Sequence, residues 1–478
     1  MVRPSAMWDN FDCNADHEDD GFMAHTPSPM RQGGAQDTPV GSAPGLGGSG
    51  FTVLGISGRR LAAVLLGWFF VVFDGYDLIV YGTVQAELME EWDLTAATAG
   101  TVGSMAFVGM VIGAVLVGRL SDRFGRKFAV LGSVVVLSVF TLLCGFAPSV
   151  WLFGAFRLLA GIGLGGLVPS VNAMTADLVP RNKMSAWSTV LMSGVPLGGS
   201  IAAVLAQFIV PLHDDWGWRF MFLLAIIPLI VGLPLAAAVI PSDRAIREDR
   251  IAREGVDPES GDDGGAVPGY GALFSAKYRA VTVWFALATF VTLLAWYGLG
   301  TWLPKLMQEE GYDFGASLNF TLALNLGAII GSVVTAWAGD RFGPVRSGVV
   351  AAGVAGIALL GLLSGPPILA VYAILVLAGV GTHGTQILII AAVTHFYPHR
   401  LRGTALGWAL GVGRIGAVVA PQLAGLLLSW GLGPESNYLL FAVSALLSSL
   451  SLIVLFNIQR RRPTTAKAVV HEPAGSSA

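Results

Sequence analysis

Four ionisable side chains stand inside apolar stretches long enough to cross a bilayer: Asp74 and Asp77 in the first, Arg157 in the fourth and Arg414 in the eleventh. A charge placed in hydrocarbon is costly unless it is paired or wetted, so such residues mark a proton, ion or substrate pathway by default. Asp74 and Asp77 are three residues apart and share a helix face. Counted along their helices, they and Arg157, whose span runs the opposite way, reach similar depths, so carboxylates and guanidinium can meet within the N-terminal half. A carboxylate there can bind and release protons as its surroundings alternate. The competing reading is a buried ion-pair network that fastens two helices together. Arg414 lies well inside its span, and no span of the C-terminal half carries an acid to neutralise it. A substrate carboxylate would supply the missing charge through a bidentate contact that lysine cannot imitate. Otherwise Arg414 reaches across to Asp74 or Asp77, or donates to backbone carbonyls.

The elements that position these groups are membrane helices. Of the 478 residues 54% are hydrophobic and 12% charged, and the mean hydropathy is +0.68; soluble domains carry about 25% charged residues. The net charge of -3 comes with basic residues dealt out between apolar runs, which argues against a nucleic-acid partner. Cys13 and Cys144 lie far apart with no second Cys beside either, so neither a disulfide framework nor a metal site is expected. No cofactor is implied: the G-x-G strings lie inside apolar spans, and there is no Walker lysine.

On a ruler of about 20 residues per crossing, twelve spans are predicted, at 61-82, 96-118, 128-147, 150-173, 186-210, 219-240, 281-303, 317-338, 348-364, 367-394, 403-428 and 437-457. The expected organisation is a disordered cytoplasmic N-terminal tail (1-55), a six-helix bundle (56-240), a polar cytoplasmic linker (241-280), a second six-helix bundle (281-458) and a cytoplasmic tail (459-478). No cleaved signal peptide is read at the N-terminus. With both termini cytoplasmic, all but four of the 28 basic residues fall inside, the exceptions being Arg219 and Lys305 in outer loops and the two intramembrane arginines. Gly118-Arg119-Leu120-Ser121-Asp122-Arg123-Phe124-Gly125-Arg126-Lys127 follows span two, and Gly339-Asp340-Arg341-Phe342-Gly343-Pro344 follows span eight. That echo suggests parallel repeats with a site between them, as in many secondary transporters.

The Gly118 to Lys127 loop resembles the signature of the major facilitator superfamily at every fixed position, and Arg157-x3-Gly161-x-Gly163 is similar to its arginine-glycine element. Within that superfamily, Asp74-Gly75-Tyr76-Asp77 resembles the D-G-x-D motif of the aromatic acid:proton symporters. Trp302-Leu303-Pro304 and the run from Arg402-Gly403-Thr404 through Gly407-Trp408 to Gly413-Arg414-Ile415-Gly416 agree with it. Pro241-Ser242-Asp243-Arg244 departs from the P-E-S-P-R of sugar porters. The resemblance implies an all-α membrane protein with the major facilitator fold, working as a monomer that imports a small aromatic carboxylate (benzoate, hydroxybenzoate, gentisate or protocatechuate type) with protons by alternating access. It implies no enzymatic activity. It also implies that Asp122 and Arg126, with Arg123, Lys127, Asp340 and Arg341 around them, form a latch that closes the inner gate; positive-inside anchoring alone would not call for Asp122 or Gly125.

Asp74 and Asp77 are thus the candidate proton-coupling residues, and Arg414 and Arg157 the candidate carboxylate partners. Tyr76, Trp296, Tyr297 and Trp408, with Phe73 and Phe320, are candidate ring walls; Asn325, His383 and Gln386, with Asn319, are candidate hydroxyl partners. Trp151, Trp216, Trp218 and Trp302 are expected at the membrane interfaces. Glycines clustered at 161-166, 194-199 and 407-416 are expected where helices approach closely. The alternatives are an exporter, a carrier of another small organic acid such as nicotinate or shikimate, or a non-transporting membrane sensor.

Overall fold

The computed structural model describes residues 52–53, 55–254 and 270–461; the disorder expected of the two tails falls outside them. Twelve helices are long and apolar enough to cross a membrane. They are α1 (Gly58–Thr83), α2 (Ala96–Phe124), α3 (Arg126–Cys144), α4 (Val150–Leu178), α5 (Ala186–Leu212), α6 (Gly217–Val239), α7 (Arg279–Glu309), α8 (Phe314–Phe342), α9 (Pro344–Ser364), α10 (Ile368–Phe396), α11 (Arg400–Ser429) and α12 (Gly433–Arg461). No strand occurs among the described residues. Large apolar side chains point outward, among them Phe208, Ile357 and Leu369, an arrangement that suits lipid and not water.

The helices form two six-helix bundles packed by one scheme. In the first, α2 packs on α4, α1 on α5 and α3 on α4; in the second, α8 packs on α10, α7 on α11 and α9 on α10. Between the bundles, α2 meets α11 and α5 meets α8, an exchange of equivalent helices, and α1 meets α7. The echo in the sequence has a matching geometry. Thr95 caps α2 by accepting from the Thr98 backbone N–H at 3.2 Å, and Asp313 caps α8 by accepting from that of Ala316 at 2.8 Å. Each helix then ends on a glycine with φ of +90°, Gly125 and Gly343, a backbone region that L side chains rarely adopt.

Close helix approach explains many of the other glycines. A Cβ at Gly161 or Gly165 would collide with a backbone carbonyl of α2, and one at Gly75 or Gly198 would wedge α1 from α5. The cluster on α11 divides: Gly413 and Gly416 press against α7, whereas nothing lies within 4 Å of a Cβ placed on Gly407 or Gly411. Those two do not serve helix contact here.

The linker is partly helical, with Asp243–Glu254 α-helical and a 3-10 turn at Tyr270–Phe274. It lies on the side of the Gly118 to Lys127 loop, called here the linker face. The Asp243 carboxylate accepts from the Arg126 backbone N–H at 2.7 Å, capping α3. The C-terminal carbonyls of α6 take Arg59 (2.8 Å to both Ala238 and Val239) and Lys127 (2.7 Å to Ala237, 2.8 Å to Ile240), cations where the helix dipole is negative.

Two of the tryptophans expected at interfaces are instead packed inside. Trp302 is fully buried and donates to the Pro421 carbonyl at 3.0 Å, and Trp218 is buried with its indole N–H on Glu91. Each indole found a protein acceptor, which removes the need for a watery headgroup layer. Trp151 and Trp216 remain exposed.

Candidate transport site

A cavity of about 640 Å³ lies between the bundles. Its deep part is walled by Asp74 of α1, Met110 of α2, Trp296 and Tyr297 of α7, His383 and Gln386 of α10 and Arg414 of α11. From there it continues to helix ends at the linker face, marked by Met184, Asp340, Pro344 and the exposed His395. On the opposite face the bundles are joined. Ser104 donates to the Val418 carbonyl at 2.7 Å, Thr101 to Gln422 at 2.7 Å and Gln207 to Asn319 at 3.0 Å, and a Cβ on Gly82 would meet the Gly300 carbonyl oxygen at 2.6 Å. The cavity is therefore closed toward that face and reached from the linker face.

The four intramembrane charges separate into two pairs. Arg157 Nη1 donates to Asp77 Oδ2 at 2.7 Å, Arg157 Nη2 donates to the Asp77 backbone carbonyl at 3.2 Å, and Thr141 donates to Asp77 Oδ1 at 2.6 Å. Both charged side chains are almost wholly buried, the guanidinium lies 5.9 Å from the Tyr81 ring centre, and neither residue lines the cavity. This is the ion-pair arrangement, fastening α1 to α4. Asp74, one turn earlier, faces the cavity, and its Oδ1 has no hydrogen-bond partner in the protein. Arg414 faces the same cavity, within electrostatic reach of Asp74, and Nη1 donates to the Met110 carbonyl at 2.8 Å. That backbone contact crosses from one bundle to the other, and it leaves most of the guanidinium donors available.

The aromatic and polar candidates are distributed unevenly. Trp296 packs on His383 with ring centres 5.0 Å apart, and Tyr297 packs on Phe107 at 4.8 Å; with Gln386 they belong to the cavity wall. Three others lie outside the wall. Tyr76, two residues from Asp74, points away toward α6 and donates to the Met221 carbonyl at 2.8 Å. Asn325 is fully buried between α5 and α8, donating to the Thr321 carbonyl at 2.9 Å. Trp408 packs against Phe274 at 5.2 Å beside the linker. Spacing along one helix could not foresee which of these side chains the packing of the bundles would turn away from the cavity. The wall also contains Met192 and Asn172, residues too ordinary in type to stand out in a sequence.

Among the gating candidates, Asp122 and Arg123 are exposed on the linker face. Arg126 pairs with Asp177 at the end of α4 and donates to the Ala173 carbonyl at 2.8 Å. Lys127 caps α6 as described, Asp340 lines the cavity mouth, and Arg341 lies over Phe342. The bonds of Arg126 to Asp177 and Ala173 and of Lys127 to α6 lie within the first bundle, as befits a cavity accessible from the same side. Among the described residues no group of three or more His, Cys, Asp or Glu side chains gathers as a metal site.

Comparison with known proteins bears on the fold and the family. The family model described as Major Facilitator Superfamily matches residues 64–421 and 313–477. The chain is 70% identical to a gentisate transporter of Corynebacterium glutamicum over 421 residues, which cover 88% of this chain and 93% of that protein. It is 34% identical to a benzoate transport protein of Acinetobacter baylyi, over 84% of this chain and 89% of the relative. Among solved structures, the inward open conformation of the xylose transporter XylE from E. coli superposes with a TM-score of 0.70 at 17% identity, covering 82% of this chain and 96% of that one. At that identity the likeness is one of fold.

Proposed function

The chain belongs to the major facilitator superfamily, among its aromatic-acid transporters, and from that premise we propose that it imports an aromatic carboxylate together with a proton by alternating access. It is a multi-pass membrane transporter of aromatic acids, not an enzyme. The linker face is read as cytoplasmic, with both termini on that side, so the structure corresponds to an inward-facing state.

One observation carries the proposal: Arg414 and Asp74 face a single cavity between the bundles, one from each. Arg414 can present two parallel N–H groups to a substrate carboxylate, with Trp296 and Tyr297 at hand as ring walls. With Asp74 ionised, the deep part of the cavity holds one positive and one negative charge. A substrate anion would then set two carboxylates against one guanidinium at low dielectric, an arrangement that costs several-fold more than it would in water. A proton on Asp74 restores the balance, so substrate and proton enter together. Asp77 and Arg157 contribute by holding α1 in register beneath Asp74. The Asp122 and Arg126 loop would form the inner latch when the linker face closes, with Arg126 exchanging its present partner Asp177.

The 70% identity to a gentisate transporter makes a dihydroxybenzoate the first substrate to test. Cells producing the protein should accumulate labelled gentisate, a protonophore should abolish accumulation, and Asp74→Asn should retain substrate exchange while losing accumulation. Accumulation that survives both the protonophore and Asp74→Asn refutes proton coupling through this residue.

A further inference from the structure

We propose that His383 reads the hydroxyl groups of the substrate ring, so that the cavity favours hydroxylated aromatic acids over unsubstituted ones; this rests on the carboxylate reading of Arg414 and deepens it. His383 is 5% exposed, lies in the deep cavity wall, and has no hydrogen-bond partner within the protein for either ring nitrogen. The backbone of Met192 approaches the ring from the other bundle without forming a good hydrogen bond. Other polar side chains of the wall are engaged locally: Asn172 donates to the Val168 carbonyl at 3.1 Å and Thr394 to that of Ala391 at 2.7 Å. His383 differs from them in being buried, polar and unengaged.

An imidazole in its neutral form offers one donor and one acceptor, which matches a phenolic hydroxyl in either direction. Both ring nitrogens are closed off from solvent as well as from protein partners, so the imidazole carries an unmet hydrogen-bonding demand at the edge of the cavity. A small turn of the side chain toward a bound ring lets a hydroxyl meet that demand, whereas a bare C–H edge leaves the buried imidazole unpaired. Discrimination arises because the hydroxylated ring gains this hydrogen bond and the unsubstituted one cannot, as in a site built around a hydrogen bond that its analogue lacks. Trp296, packed on His383, fixes the imidazole from one side and offers an apolar face to the substrate. Gln386, one helical turn along α10 on the same face, also lines the cavity and gives a second hydroxyl a partner.

The test is competition against labelled gentisate uptake, and binding to the purified protein, with gentisate, the monohydroxybenzoates, their methoxy counterparts and benzoate. The parent should prefer hydroxylated acids over benzoate, and methoxy substitution should lose much of that preference. His383→Phe keeps an aromatic ring against Trp296 and should narrow the hydroxylated-to-benzoate preference by about tenfold, the worth of roughly one hydrogen bond. His383→Gln should retain part of it. An unchanged preference in His383→Phe overturns the assignment, as does a parent that binds methoxy, hydroxy and unsubstituted acids alike, a result that needs no variant to fold. If no aromatic acid competes at all, the carboxylate reading itself fails along with it.

Discussion

Asp74→Asn and Asp77→Asn remove the same charge at positions three residues apart, and their consequences should differ in kind. The Asp77 carboxylate accepts from Arg157 at 2.7 Å and from Thr141 at 2.6 Å, and the paired side chains of Arg157 and Asp77 are 2% and 3% exposed. Without that carboxylate the guanidinium keeps a backbone carbonyl and the face of Tyr81 but no counter-ion. Breaking such a pair costs about 3–5 kcal/mol; an asparagine oxygen can still accept one hydrogen bond, so about 3 kcal/mol is expected. Asp74 Oδ1, by contrast, makes no hydrogen bond within the protein and the residue borders the cavity, so its amide should change stability by less than about 1 kcal/mol. The buried thiol of Cys144 supplies the assay. In a Cys13→Ser background, thermal unmasking of Cys144 to a thiol-reactive dye follows unfolding of the first bundle. Asp77→Asn should unmask it at clearly lower temperature, Asp74→Asn near the parent's. Replacing the pair together, Asp77→Leu with Arg157→Met, should restore much of the lost stability, because a well-packed apolar pair avoids the desolvation cost. Equal unmasking temperatures for the two asparagine variants would refute the division of labour between these acids.

Arg414→Lys keeps the charge and loses the fork, so affinity for the acid should fall by roughly 1.5–3 kcal/mol, and amide analogues should lose much of their handicap; undiminished binding of the acid by the lysine variant would mean the carboxylate is held elsewhere. Asp122→Ala should bias the protein toward the state seen here, raising labelling of a cysteine placed at position 395 in the cavity mouth and lowering uptake, and normal labelling with normal uptake would reduce the loop to a topological anchor. On the opposite face, burial pushes Glu87 up to about 7, with Glu90 adding to the shift and its own backbone hydrogen bond and Lys305 opposing it. Opening that face would hydrate Glu87 and return it toward its ordinary 4.5, so the protonated acid favours closure. This contribution is complete below about 4.5, weakens as pH rises and is lost above about 7. Glu87→Gln should remove that slope from the accessibility of a reporter cysteine on the outer face, and an unchanged slope would assign it to another group.

The sequence by itself determined the twelve spans, their pairing into repeated halves and the charges that lie within the spans, because in a bilayer these follow from one-dimensional quantities. Length against hydrocarbon thickness fixes the crossings, and the price of an intramembrane charge makes Asp74, Asp77, Arg157 and Arg414 conspicuous without any knowledge of packing. The family resemblance was legible for the same reason, as the Gly118 to Lys127 and Asp74 to Asp77 motifs are local strings. What each charge does was not legible. Asp74 and Asp77 share a helix face within the resolution of a helical wheel, yet one meets Arg157 on α4 and the other meets the cavity. Tyr76, Asn325 and Trp408 looked like binding residues by type, but Tyr76 bonds to α6, Trp408 packs on the linker and Asn325 is buried outside the cavity wall on a carbonyl of its own helix. Trp218 and Trp302 looked like interface residues by type, but both are buried and their indoles donate to protein acceptors. Tertiary structure decided these points because a buried polar group is governed by whichever donor or acceptor lies across from it, and that neighbour comes from a helix distant in sequence, brought to within hydrogen-bonding range only by the packing of the bundles.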